Sequence, residues 1–368
     1  MITKLSIHNY KGFMNFEMEC GRIVFLMGRN GSGKSSLLDV LHALATVIND
    51  GNLDVFDAET RFRFADEPLP TQKFSLEAEL NGASYRYVLE IDFSGRELRP
   101  ILLREELHVG GAPVFLFADG QLTAYGAGSK LEGVPFDAYR GALSSFGDDQ
   151  DGGGRATIRH WASGFLLLRL VPGAVKPEAR KPSDSLDVDG LNFVAWYETV
   201  SNDDTLAADS YRRAMREALP GLKTINLRAL YKTGKLWEAR FMVDGKEGGI
   251  ALDELSEGQI CLAVLYAILH FTLHSAATVA LDEPDNYLAL SEIEPYLHEL
   301  EDATELKGGQ LFVISHHPEV YRQWARDSDK CHYFELTGNG KFATRVIDWD
   351  EYPGIAPAEV VARGWQDA

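Results

Sequence analysis

Disulfide chemistry has almost nothing to work with in this chain: Cys20, Cys261 and Cys331 are its only cysteines, odd in number and far apart. That count fits reduced, mostly buried thiols better than a disulfide framework or a zinc site. Long apolar runs are missing too. No stretch nears the roughly 20 residues that a membrane-spanning helix needs. The start, MITKLSIHNYKGF, lacks the apolar block of a signal peptide. The expectation is a cytoplasmic protein with no membrane association. Positive charge is in deficit, with 36 Lys and Arg against 55 Asp and Glu, net −19. Proteins that coat nucleic acid need Lys and Arg to replace counterions on phosphates, so this balance disfavours nucleic acid as a partner. A local basic groove around Lys176, Arg180 and Lys181 stays open beside the plainer reading of a solvated loop. Sustained heptads are absent, which excludes a long coiled-coil arm. What is left is ordinary globular composition, 45% hydrophobic and 25% charged over 368 residues, enough for one large or two ordinary domains.

Periodicity organises the chain. Ile2, Leu5 and Ile7 mark a strand over 2–8, and the run IVFLM at 23–27 marks a buried one. From Ser35 the period changes to 3.6, with Leu37, Leu38, Leu41, Leu44 and Ala45 on one helical face. Residues 74–93 alternate about Asn81-Gly82, the signature of a tight hairpin. Further strands are predicted at 101–109 and 113–117. Residues 126–154 read as a loop region, with Gly152-Gly153-Gly154 its most flexible point. Helices are predicted at 157–170, 190–200 and 207–219, with a loop at 176–189. Strands follow at 224–231, 236–243 and near 250. Then come a helix from 256, a strand at 278–281, a helix from 291 and a strand at 310–315. A hairpin around Gly338-Asn339-Gly340 closes the pattern at 331–349.

Four motifs carry chemistry. Gly28-Arg29-Asn30-Gly31-Ser32-Gly33-Lys34-Ser35 is a complete P-loop between a strand and a helix. Its glycines let successive N–H groups surround a β-phosphate, and the helix N-terminus adds a favourable dipole. Lys34 would reach the β- and γ-phosphates and Ser35 would coordinate Mg²⁺. Asn30, Gly31, Ser32, Gly33 and Ser36 complete the expected ATP contacts. A glycine turn before an ordinary helix would leave Lys34 unexplained. Thr278 to Glu283, TVALDE, delivers two carboxylates at the end of an apolar strand. Asp282 would hold Mg²⁺ through water and Glu283 would act as general base; the alternative is a simple acidic start to a helix. Leu255-Ser256-Glu257-Gly258-Gln259 fits a capping box, S-x-x-Q, opening a buried helix. The same N-terminus can serve as an anion site, with Gly258 allowing close backbone approach. Finally, Val313 to Pro318, VISHHP, ends a core strand with two histidines. His316 is the expected γ-phosphate switch residue, ahead of His317.

In this order GRNGSGKS, LSEGQ, VALDEPDNYL and VISHHP resemble the ABC-type ATPases of the SMC, RecF and OLD-nuclease kind. The resemblance is nearest to the compact bacterial AAA family ATPase, or predicted-ATPase, group. Ile7-His8-Asn9-Tyr10-Lys11 resembles the opening I-x-N-[FY]-[KR] of those proteins, which makes Lys11 a further expected ATP contact. The resemblance implies two heads closing around two ATP, with Ser256, Gly258 and Gln259 capping the nucleotide of a partner subunit. Three departures stand out. There is no coiled coil between the halves of the head, and the tail after His316 is too short for a nuclease domain. Ala289 replaces the His or Asp usual after the segment that follows the acidic pair. No glutamine is clearly placed for a Q-loop; Gln72, Gln121 and Gln150 are the options.

The expected fold is α/β, a P-loop NTPase ABC-type head with an antiparallel β lobe and a helical insertion. Residues 1–60 and 222–330 would form the core halves, 74–125 the β lobe, 155–220 the helical insertion and 331–349 the C-terminal hairpin. The expected function is an ATPase using ATP and Mg²⁺. It would form a homodimer through ATP and control a separate effector, a nuclease or toxin, as in bacterial anti-phage defence. The alternative is a RecF-like DNA-repair or DNA-processing ATPase that clamps DNA directly. A transporter subunit is disfavoured by the SMC-like opening and by the hairpin where membrane coupling would lie.

Overall fold

The computed structural model describes all residues except 64–68, 96, 127–128, 146–152, 231–233, 274–276, 317, 326–328, 338–342 and 364–368. Gly152, Gln150, His317 and the expected turn at Gly338-Asn339-Gly340 lie outside the described residues. The chain divides into two compact units.

The first unit joins Met1–Phe165 to Ala325–Ala368. Its main sheet is antiparallel and eight-stranded, in the order β2-β1-β4-β5-β6-β7-β8-β9. The strands are β1 (Ile2–His8), β2 (Phe16–Glu19), β4 (Thr71–Leu80), β5 (Ala83–Asp92), β6 (Ile101–Val109), β7 (Ala112–Ala118), β8 (Gln121–Gly126) and β9 (Ser129–Pro135). The hairpin of β4 and β5 pairs in full register from Thr71↔Asp92 to Leu80↔Ala83. Asn81 and Gly82 turn it with φ of 50° and 77°, the left-handed pair that a type I′ turn requires. Phe74, Leu76, Tyr87 and Leu89 alternate inward and are buried, as a sheet with one covered face demands.

The unit also contains β3 (Ile23–Gly28), buried along its whole length, with β17 (Cys331–Leu336) parallel to it and β18 (Thr344–Val346) antiparallel to β17. Its helices are α1 (Lys34–Asp50), α2 (Gly154–Ser163) and a short α8 (Pro357–Arg363). On α1 every residue of the expected apolar face is buried. Among the described residues of the unit, Glu105 is a fully buried carboxylate. Glu105 on β6 accepts hydrogen bonds from Tyr87 Oη (2.7 Å) and from the backbone N–H groups of Ala142 (2.6 Å) and Leu143 (3.3 Å). Burial outweighs these donors and pushes its carboxyl up to about 7.

The second unit is Leu166–Trp324. Three parallel strands, β10 (Leu166–Leu168), β15 (Thr278–Asp282) and β16 (Gln310–Ile314), run side by side. Nearly all their residues are buried, which explains why they read as continuous apolar runs rather than alternations. An antiparallel group joins β11 (Glu178–Ala179), β13 (Lys235–Val243), β12 (Leu222–Ala229) and β14 (Lys246–Ala251). The helices are α3 (Phe193–Asp203), α4 (Thr205–Ala218), α5 (Glu257–Phe271), α6 (Leu290–Lys307) and α7 (Pro318–Trp324). α5 is buried from Ile260 to His270, as its all-round apolar sequence requires.

Two expectations about local structure are corrected. The helix expected over 157–170 ends at Ser163, where Gly164 closes it by donating to the His160 carbonyl at 3.1 Å. Leu166–Leu168 is then a strand. Three consecutive leucines satisfy a helix face and a doubly covered strand equally well, and only the pairing with β15 decides. The loop expected over 126–154 contains β9, which pairs antiparallel with β8. Its Ser, Lys, Glu and Gly residues suit a strand that closes the edge of a sheet. Gly153 there is not merely a flexible point: it caps α2 with φ of 94°. The three cysteines are free and buried, and burial pushes the Cys20 thiol up to about 12. Among the described residues no helix is long and apolar enough to cross a membrane.

Candidate functional site

In the first unit the P-loop motif is built almost entirely from backbone. Gly28, Gly31 and Gly33 have φ of 133°, 79° and 104°, a region open to glycine and costly for other residues. A Cβ on Gly28 would lie 2.3 Å from the Phe334 carbonyl oxygen on β17, and one on Gly33 would meet Thr344 Oγ1 at 2.9 Å. Around Gly31 there is open space. Gly33 is the N-cap of α1, and no side chain caps that helix. Lys34 folds back over the loop, its Nζ donating to the carbonyls of Gly28 (2.8 Å) and Arg29 (3.0 Å). Ser32 Oγ is buried without a hydrogen-bond partner, an exception that calls for a ligand or water. Asn30 and Ser35 are exposed and Ser36 is half-buried. These features make a cradle for an anion of phosphate size.

The opening segment braces this cradle. Asn9 is buried and makes three side-chain hydrogen bonds. Its side chain donates to the carbonyls of Leu69 and Thr71, both at 2.9 Å, and accepts from the Phe62 N–H at 3.0 Å. That anchor holds the tight turn that carries Lys11, whose Nζ meets Asp39 of α1 at 2.6 Å. Lys11, Gly12, Gly31, Arg61 and Arg63 line a cavity of about 560 Å³ beside the loop. Thr344, on β18, donates to the Ser32 carbonyl at 2.8 Å. Sequence reading did not single out Thr344, because its partner lies more than three hundred positions away.

In the second unit the acidic pair is built from side chains. Asp282 ends β15. Its neighbour Glu283 has φ of 52°, a strained conformation for a non-glycine residue that often marks functional sites. The Glu283 N–H donates to the Ile314 carbonyl at 2.9 Å. Its carboxylate accepts from Asn286 Nδ2 at 2.8 Å and lies 3.7 Å from His316 Nε2. His316 follows β16 closely, so parallel pairing of β15 and β16 brings it beside Glu283. Asp282 is 8% exposed at its side chain and holds Arg169 Nε at 2.6 Å. Neither Asn286 nor Arg169 was singled out from sequence. The signal for Arg169 was hidden by the mistaken helix at 157–170.

Ser256 and Gln259 form the expected capping box at the start of α5. The Gln259 N–H donates to Ser256 Oγ at 3.3 Å, and the Ser256 N–H donates to Gln259 Oε1 at 3.0 Å. The close approach at Gly258 is made by the Tyr287 carbonyl oxygen, 2.8 Å from where a Cβ would sit. Cys261 Sγ, one turn on, contacts the Pro284 carbonyl oxygen at 3.1 Å. The start of α5 and the segment after Glu283 are therefore one packed cluster. Ala289 is the N-cap of α6, where Glu292 reaches back to its N–H at 2.9 Å. Gln72 is buried and donates to Thr60 at 3.1 Å, and Gln121 begins β8.

This is the fold of an ABC-type ATPase head. The chain is similar to the SMC head bound to the C-winged helix domain of ScpA, with a TM-score of 0.57 and 12% identity over 94% of this chain and 97% of that one. It is similar also to the SMC head with an extended coiled coil bound to the C-terminal domain of ScpA from Pyrococcus furiosus, with a TM-score of 0.52 and 11% identity over 100% and 99%. Residues 23–322 match the family described as "AAA domain, putative AbiEii toxin, Type IV TA system", and the chain belongs to that family. No curated protein matches it.

Proposed function

We propose that the protein binds and hydrolyses ATP, and that hydrolysis switches a head-to-tail homodimer that controls a partner effector. The observation that carries this reading is the Glu283 carboxylate, held by Asn286 at 2.8 Å and beside His316 at 3.7 Å at the end of β15. A strained glutamate with two positioning partners suits a general base for an attacking water.

In this reading Lys34 exchanges the carbonyls of Gly28 and Arg29 for phosphate oxygens, and Ser32 Oγ gains a partner. Lys11 serves the nucleotide from the 560 Å³ cavity. The donor set fits Mg²⁺. That ion needs one or two carboxylates plus hydroxyl, water and phosphate oxygens, not a protein cage, and no cluster of three or more ligating side chains exists among the described residues. Asp282 and Ser35 would hold it, and when bound it neutralises charge on the phosphates. Glu283 takes the water proton, and His316 senses the γ-phosphate. Ser256, Gly258 and Gln259 serve the nucleotide of the second subunit.

The family description, with its toxin and toxin–antitoxin system, supports a place in a system that has a toxic effector. The two SMC heads bound to domains of ScpA support a protein partner docked on the head. A nuclease or toxin under its control, as in anti-phage defence, is the effector we favour.

The test is ATP-dependent dimerisation by light scattering. Glu283→Gln should accumulate as a dimer in saturating ATP and Ser256→Arg should not, although both bind nucleotide. A strictly monomeric Glu283→Gln protein overturns the dimer. Hydrolysis strongly stimulated by duplex DNA would favour direct DNA clamping instead.

A further inference from the structure

Thr344 reaches the P-loop from the far end of the chain, within the first unit. Strand pairing puts it there. β18 is held to β17 by pairs from Phe334↔Val346 to Leu336↔Thr344, and β17 runs parallel to β3 from Cys331↔Phe25 to Phe334↔Gly28. The sheet therefore fixes Thr344 against the loop that follows β3. Thr344 is 4% exposed, and its N–H and hydroxyl are both used. The N–H donates to the Gly12 carbonyl at 2.8 Å, and the hydroxyl donates to the Ser32 carbonyl at 2.8 Å. A Cβ on either Gly12 or Gly33 would lie 2.9 Å from Thr344 Oγ1. One threonine ties the turn that carries Lys11 to the loop that carries Lys34.

The Ser32–Gly33 peptide is trans, and in a planar trans peptide the C=O and the following N–H point in opposite directions. Holding the Ser32 carbonyl toward Thr344 therefore turns the Gly33 N–H away from β18. Gly33 is the N-cap of α1, at the end of a helix where backbone N–H groups without a helical partner favour an anion. Ser32 is held on its other side by its own N–H, which donates to the Arg29 carbonyl at 3.2 Å, and its Oγ is buried without a partner. We propose that Thr344 is a positioning residue for the P-loop: by holding the Ser32 carbonyl it presents the Gly33 N–H to a bound β-phosphate, and so sets nucleotide affinity. The inference rests on the ATP reading above. With the carbonyl held, the N–H needs no reorganisation when the anion arrives. Without the hydroxyl the peptide plane loses that hold, and its rotation brings forward a carbonyl oxygen, which repels phosphate.

The experiment measures the Kd of a fluorescent ADP analogue on the full chain as wild type, Thr344→Val, Thr344→Ser and Thr344→Cys, with thermal melts without nucleotide beside each. Thr344→Val keeps the shape and the backbone N–H and removes the donor, and its Kd should weaken about tenfold, the worth of one aligned donor to a phosphate. Thr344→Ser keeps the hydroxyl and should bind near wild type even where its melting temperature falls. If Thr344→Val fails to fold, Thr344→Cys decides: its thiol is close in size and a weak donor, so its Kd should weaken by an intermediate factor. A threonine that serves only stability would lower the melting temperature and leave every Kd alone. An unchanged Kd in Thr344→Val, an unchanged Kd in Thr344→Cys where the valine variant does not fold, or a Thr344→Ser protein that binds as weakly as Thr344→Val overturns the proposal. A wild-type protein that does not bind the analogue, or a Lys34→Ala variant that binds it like wild type, instead overturns the ATP reading itself.

Discussion

The two units build their parts of the chemistry from different materials. The P-loop of the first unit is backbone: three glycines at positive φ, a helix N-terminus with no side-chain cap and a lysine folded onto loop carbonyls. The acidic cluster of the second unit is side chain: Asp282 on Arg169, and Glu283 between Asn286 and His316. A backbone site is specified by a short contiguous string, because φ and close approach are local properties. A side-chain site on parallel strands is specified by register, and its members come from distant parts of the chain. The first kind tolerates little change in shape, and the second little change in charge.

That contrast can be sharpened by variants that separate binding from chemistry. Glu283→Gln should lower ATP turnover by roughly 10²–10⁴, the usual worth of a general base, while the Kd for a fluorescent ATP analogue stays near wild type. Lys34→Ala should do the opposite at the first step and weaken that Kd by roughly 100-fold, since it removes a charged donor to phosphate. Comparable losses of affinity in both variants would break the division.

A shape change should be felt as stability. Gly28→Ala places a methyl 2.3 Å from the Phe334 carbonyl oxygen at φ of 133°. It should cost about 3 kcal/mol in denaturant unfolding. A variant as stable as wild type would show that β17 yields easily.

Glu105 tests the contrast from within the first unit, where it is a buried side-chain node. Its folded carboxyl is raised from 4.5 to about 7 by burial. Between those values folding takes up a proton. Its contribution to stability is therefore complete below 4.5 and falls as pH rises through about 7, a change on the order of 2 kcal/mol. Glu105→Gln should flatten that decline relative to wild type in unfolding curves at pH 5 and pH 7. An unchanged slope would assign the pH dependence elsewhere. The smallest effect is expected at Gly258, where the backbone is not left-handed and the obstacle, the Tyr287 carbonyl oxygen, lies at 2.8 Å. Gly258→Ala should cost about 1 kcal/mol.

Much of the fold was legible because the signals are local. Asn81-Gly82 dictates its own turn, and the leucine face of α1 follows from a 3.6-residue period. The capping box of Ser256 and Gln259 lies within four residues. Legibility failed at Leu166–Leu168 and at β9, where the deciding partner is another strand. It failed equally for Thr344, whose hydroxyl holds the Ser32 carbonyl across the chain.

The sequence by itself determined the P-loop cradle, the apolar strand ending in two carboxylates and the capped start of α5, because each depends on residue types within a few positions. Only the tertiary structure decided that Arg169 sits on Asp282, that His316 lies beside Glu283, and that β18 braces the P-loop. Those pairings depend on strand register and on which segments pack together, and the distance between two side chains in space is not encoded in their separation along the chain.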